Sequence, residues 1–147
     1  MKKLLLLVIF FCISCSYKPI YSTGDKLDFE FKKIIINGDE KIKRQIINNL
    51  NINESFNSKR ELSINITYKI EETSRNSRGE VETYRSMIIA EISINEDKTT
   101  LKKEKFLSQL SYKNKDNRYE LRSYQQLIKN DLVDKLLSEI ILFLKIT

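Results

Sequence analysis

Apolar and polar residues alternate through the middle of this chain. From Arg60 to Glu72, Leu62, Ile64, Ile66, Tyr68 and Ile70 fall on one face and Ser63, Asn65, Thr67, Lys69 and Glu71 on the other, which is the two-residue period of a half-buried strand. Asn76-Ser77-Arg78-Gly79 supplies turn residues, and Tyr84, Ile88, Ala90, Ile92 and Ile94 repeat the alternation on the way back. The two segments predict a long β-hairpin. Glu96-Asp97-Lys98 turns the chain into another strand, with Phe106, Leu110 and Tyr112 on one face and a charged N-terminal half that reads as a sheet edge.

The flanking segments follow other periods. Phe29 to Asn37 is β-rich, but its apolar residues move from odd positions (Phe29, Phe31) to even ones (Ile34, Ile36) across Lys32-Lys33, as a bulge or a two-sided strand produces. Asn37-Gly38-Asp39 reads as turn plus N-cap, ahead of a helix with Ile42, Ile46, Ile47 and Leu50 on one stripe. From about Asn117 to Leu144, Leu121, Tyr124, Ile128, Leu132, Leu136, Ile140 and Leu144 recur at helical spacing, with Asn117 and Glu120 in capping-box positions. Leu132 is expected in the core, and Lys129 on a surface that tolerates charge reversal. The order β-α-β-β-β-α predicts an α+β two-layer sandwich, a mostly antiparallel four-stranded sheet with two helices on one face, because each helix has one apolar stripe and each strand one apolar face.

Residues before Phe29 belong to a different kind of segment. Lys2 and Lys3 precede an apolar run from Leu4 to Phe11, and Cys12-Ile13-Ser14-Cys15 follows. A basic start, a short apolar core and a small residue before the cut are the parts of a secretory signal. The segment resembles the lipobox of bacterial lipoproteins, in which the cysteine after the cut is acylated, although Cys12 stands where that motif usually has leucine. Residues 1–14 are thus expected as signal peptide, 15–28 as lipidated N-terminus and extended tether around Pro19 and Gly24, and 29–147 as a single domain. Cys15 is the predicted lipid carrier and first mature residue, with an ordinary cleaved signal or an uncleaved anchor helix as the alternatives. Two or more acyl chains on Cys15 would hold the protein stably on a membrane.

Composition then removes chemistry. Histidine is absent, there are three glycines, and with Cys12 lost and Cys15 acylated no thiol remains for a disulfide or a metal. Nucleophile-histidine pairs, histidine metal sites and glycine-rich phosphate loops therefore have no residues to stand on. No catalytic residue, metal or cofactor is expected, and the scattered Asp and Glu read as solvated faces. The formal charge of +6 falls to +4 once Lys2 and Lys3 leave. In an exported Lys- and Asn-rich chain that mild excess does not indicate nucleic acid.

Two stretches resemble the lipopolysaccharide-assembly lipoprotein family LptE, particularly its alphaproteobacterial branch. Cys15-Ser16-Tyr17-Lys18-Pro19-Ile20-Tyr21 is similar to that branch's run of lipidated cysteine, small residue, aromatic, basic residue, proline, aliphatic and aromatic. Leu110-Ser111-Tyr112-Lys113-Asn114, leading into Tyr119 and the terminal helix, is similar to the family's Ser-Tyr-Asn strand end, here with Lys113 inserted. The terminal helix departs from the branch in being Leu-, Ile-, Lys- and Asn-rich rather than alanine-rich. The resemblance implies an outer-membrane lipoprotein that plugs and helps assemble the LptD β-barrel, on the periplasmic side and in the barrel lumen, and binds lipopolysaccharide in transit. The competing expectation is an accessory or chaperone lipoprotein of another envelope machine, with no glycolipid ligand.

Two surfaces are candidate sites. The predicted topology puts the turn from Asn37 to Glu40, the hairpin tip and the 113–118 connection at the end far from Cys15. Arg75, Arg78, Lys113, Lys115 and Arg118 would gather there as an anion-binding end for lipopolysaccharide, arginine suiting bidentate phosphate contacts, or would simply be solvated. Met87 and Ile89, beside Arg85, interrupt the polar alternation of the sheet's second face. They mark either a partner surface or residues packed under a loop or the tether.

Overall fold

The computed structural model describes residues 29–146, so Cys15, the signal segment and the tether lie outside the described residues. The first predicted strand divides at Lys32 into β1 (Phe29–Phe31) and β2 (Lys33–Asn37), where the apolar phase shifts. Helix α1 (Glu40–Leu50) follows, then β3 (Ile52–Glu54), β4 (Arg60–Arg75), β5 (Val81–Glu96), β6 (Thr99–Lys113) and α2 (Arg118–Lys145). β2, β4, β5 and β6 form the four-stranded sheet in that order, with β2 parallel to β4 and the other neighbours antiparallel. The expected α+β sandwich is present. One addition was not foreseen: β3 pairs in parallel with β1 as a separate two-stranded ribbon.

Strand periodicity decides what is buried. Leu62, Ile64, Ile66, Ile88, Ala90, Ile92 and Ile94 point to the helix side and are buried, packing with Ile42 and Ile46 of α1 and Ile128, Leu132, Leu136 and Ile140 of α2. Both helices start on a capping side chain. The Asp39 carboxylate accepts from the Lys41 and Ile42 amides, and the Asn117 side-chain carbonyl accepts from those of Tyr119 and Glu120. Val133, Leu137 and Phe143 widen the stripe of α2 beyond the expected set, because the C-terminal half of the helix is wedged against the sheet and α1.

Four expected core positions are not core, among them Ile70, which is exposed in the outer part of β4. Ile47 is 43% exposed and walls a cleft of about 310 Å³ with Ile34, Ile36 and Ile52. Leu110 lies on the outer strand and remains exposed, while Tyr124 keeps 37% exposure although its ring packs edge-on against Tyr112. Ser108, on the same face of β6, is instead fully covered, and its hydroxyl has no partner among the described residues. An unpaired buried hydroxyl costs about 1 to 3 kcal/mol, so Ser108→Ala is expected to stabilise the fold by ~1 kcal/mol. Urea unfolding of the two chains checks this, and a destabilised variant would mean that the hydroxyl is paired.

Candidate functional site: a cationic end and an open sheet face

β4, β5 and β6 run far past β2. β2 ends at Asn37, opposite Asn65, whereas β4 continues to Arg75 opposite Val81. At about 3.3 Å per residue the Asn37–Glu40 turn therefore lies roughly 30 Å short of the hairpin tip, which corrects the expectation that it shares that end. The reason is length: β2 has 5 residues against 16 in β4. The 113–118 connection does reach the tip. Lys113 pairs with Thr83, and Asn114 donates from its amide to the Glu82 carbonyl and from its side chain to that of Val81.

The tip is built around Asn76, whose side-chain carbonyl accepts from the amides of Arg78 and Glu80, with Gly79 at φ +80° closing the turn. Arg78 stands on that turn. Arg75 is engaged at the surface, donating to the Glu72 carboxylate and the Gly79 carbonyl. The Lys115 ammonium sits 5.2 Å over the Tyr124 ring, and Arg118 opens α2. Of the five expected cations, Arg78, Lys113, Lys115 and Arg118 are exposed, with exposed Glu80, Glu82, Asp116 and Glu120 in the same segments, and Arg75 is paired with a neighbour that alternation alone would have left solvated.

Behind this end lies a polar chain that periodicity did not reveal. Lys129 reaches across from α2 to the Asp39 carboxylate at 2.9 Å and covers the Tyr68 ring at 5.0 Å. The Tyr68 hydroxyl donates to Ser86 Oγ, which is hydrogen-bonded in turn to the Tyr112 hydroxyl 3.1 Å away. Burial, as the largest influence, raises the Tyr68 pKa, so the phenol stays protonated and keeps donating. Lys129 is 13% exposed, which overturns the expectation of a tolerant surface lysine. The available signal was its spacing of one residue from Ile128, which brings it to the edge of the buried stripe.

On the opposite face of the sheet, Ile89 stands between Thr67 and Leu107, and Met87 between Lys69 and Gln109. Arg85 lies between Glu71 and Ser111 and donates to the Ser111 hydroxyl at 3.4 Å. Leu107 is 52% exposed, and it extends the Met87–Ile89 patch across to the outer strand. Both helices pack on the other side, so no described helix covers this one. Among the described residues no three acidic or cysteine side chains gather as a metal site.

This sandwich recurs in solved structures. Rare lipoprotein B from Shewanella oneidensis aligns over 77% of this chain and 93% of its own, with a TM-score of 0.58 and 11% identity. The chain has the fold of that lipoprotein. A minor lipoprotein from Acinetobacter baumannii matches over 77% of this chain and 90% of its own at a TM-score of 0.54 and 11% identity. A lipoprotein B from Nitrosomonas europaea matches over 80% and 84% at 0.57 and 10% identity. No family model matches the chain, and no curated relative matches its sequence. At such identities the lipoprotein likeness is one of architecture, and it extends over nearly the whole length of each neighbour.

Proposed function

We propose that this protein is an outer-membrane lipoprotein of the LptE type, anchored through Cys15, that sits as a plug in an LptD-type β-barrel and binds lipopolysaccharide during its passage to the cell surface. The observation that carries the reading is the pairing of a lipobox-like N-terminus with a domain whose fold is that of rare lipoprotein B. The role is one of assembly and binding rather than catalysis. In this reading Arg78, Lys113, Lys115 and Arg118 meet phosphate groups of the glycolipid, and the Arg85–Met87–Ile89 face lies along the barrel wall. Arg75 acts through the tip, holding its shape with Glu72, rather than as a phosphate contact.

Co-purification of the tagged chain with a barrel protein of the LptD type is the expected result, and recovery with a different envelope machine would replace the plug by the accessory reading. Glycolipid binding is tested separately. Arg78→Glu with Lys115→Glu is expected to weaken lipopolysaccharide binding roughly tenfold, since well-paired charge-assisted contacts contribute about 1.5 to 3 kcal/mol each and exposed ones much less. Added salt should weaken it as well. Lys41→Glu with Arg44→Glu on α1 is the control; an equal loss from both pairs would leave only a diffuse charge effect.

A further inference from the structure

We infer that the end of the domain opposite the hairpin tip docks on an anionic lipid surface, with the loop between β3 and β4 inserting Phe56 into the headgroup boundary. The assignment rests on the lipid-anchor reading for which end meets the membrane, and on four observations for the surface itself. Phe56 is 107% exposed, so its ring projects beyond every neighbour. The loop that carries it is held in shape: the Ser58 amide donates to the Ser55 carbonyl at 3.2 Å, the Asn57 amide to the Ser55 hydroxyl at 3.4 Å, and the Ser58 hydroxyl to the Glu30 carbonyl at 3.1 Å.

The topology brings other exposed groups to the same end. β4 starts at Arg60 opposite Glu96, β6 starts at Thr99 opposite the same Glu96, and the Lys102 ammonium reaches the Ile146 carbonyl at 3.4 Å. The loop, the β5–β6 turn and the end of α2 therefore share one end. Leu101 and Ile146, 50% and 72% exposed, add apolar surface there. Exposed Lys32, Lys33, Lys59 and Lys98 rim it, against exposed Glu30, Glu54 and Asp97, which leaves a slight basic excess. Apolar side chains at a tip, rimmed by a slight excess of lysines, combine insertion into the acyl boundary with attraction to anionic headgroups. Finally, β1 lies at this end, and its first residue, Phe29, follows Cys15 by only 14 positions in the sequence. A lipid on Cys15 would tether the domain to the bilayer from this end.

The chain has no tryptophan, so Phe56→Trp makes a single-site reporter. The host-processed full chain carrying Phe56→Trp is bound to phosphatidylethanolamine–phosphatidylglycerol vesicles with brominated acyl chains, and compared with Tyr119→Trp at the far end. Quenching roughly threefold stronger for Phe56→Trp, with a blue-shifted emission, is expected for a ring at the acyl boundary. Equal quenching of the two would overturn the docking surface. Adding Lys33→Glu with Lys59→Glu to Phe56→Trp should bring quenching down to the Tyr119→Trp level; no change would overturn the anionic-surface assignment. Mass measurement of the N-terminus reads the anchor independently: an unmodified chain removes the anchor reading, while the quenching comparison still decides the surface.

Discussion

Leu136→Asp is expected to leave the chain unfolded at room temperature. Leu136 is completely buried, on the stripe of α2 that closes over the sheet together with Leu132, Val133 and Ile140. Truncation to alanine at such a site costs about 2 to 5 kcal/mol through lost burial and the cavity left behind. Aspartate adds a charge with no partner in the surrounding cluster, so the loss should exceed ~5 kcal/mol, comparable with the whole stability of a domain this size. Circular dichroism with a urea titration measures it. Leu127→Asp on the same helix, where the leucine is 61% exposed, should change stability by only about 0.5 kcal/mol. Similar melting of the two variants would mean that α2 presents a different side to the sheet.

The second large effect concerns the junction between the helices. Asp39→Ala removes the acceptor for the Lys41 and Ile42 amides and for the Lys129 ammonium together. Loss of an N-cap costs about 1 kcal/mol, and leaving a mostly covered ammonium without its carboxylate adds a similar amount, for a total of ~2 kcal/mol. Asp39→Asn retains the cap and should lose only the second part. The hydrogen bond from Lys129 is the main cause that lowers the Asp39 pKa below its ordinary 3.8. The folded chain therefore binds this proton less readily than the unfolded one. Its stabilisation is complete above pH 3.8 and is lost as pH falls through the lower folded value. The stability gap between the wild type and Asp39→Ala should shrink from about pH 4 downward, and a gap that widened on acidification would contradict the pairing. Lys129→Asp would set two carboxylates against each other and is expected to destabilise rather than to pass unnoticed.

The legible parts of this fold were those with an unbroken period. Alternation from Leu62 to Ile70 and from Tyr84 to Ile94 located the hairpin and, as far as Tyr68, its buried face, and the shift across Lys32-Lys33 is where the chain leaves β1 for β2. Ile52–Glu54 was missed because a three-residue strand shows no period, and it exists only because β1 lies beside it. Ile47 was misread since stripe spacing cannot tell a core wall from a cleft wall. The candidate end was half legible. Turn residues located its loops, but the neutralisation of Arg75 by Glu72 and the distance of the Asn37 turn depend on strand lengths that meet only in three dimensions. The Lys129–Asp39 pair joins residues 90 apart in sequence, beyond any local pattern.

The unequal lengths of β2 and β4 give one strand two stabilities. From Glu61 to Asn65, β4 has a hydrogen-bonded neighbour on each side; from there to Arg75 its only strand neighbour among the described residues is β5. Amide hydrogens in the lower part should exchange with solvent only through global unfolding, while those in the upper part exchange through opening of the arm alone. The break in protection should fall within a few residues of Ile66, so that the outer arm can separate and reclose many times during the lifetime of a single folded core.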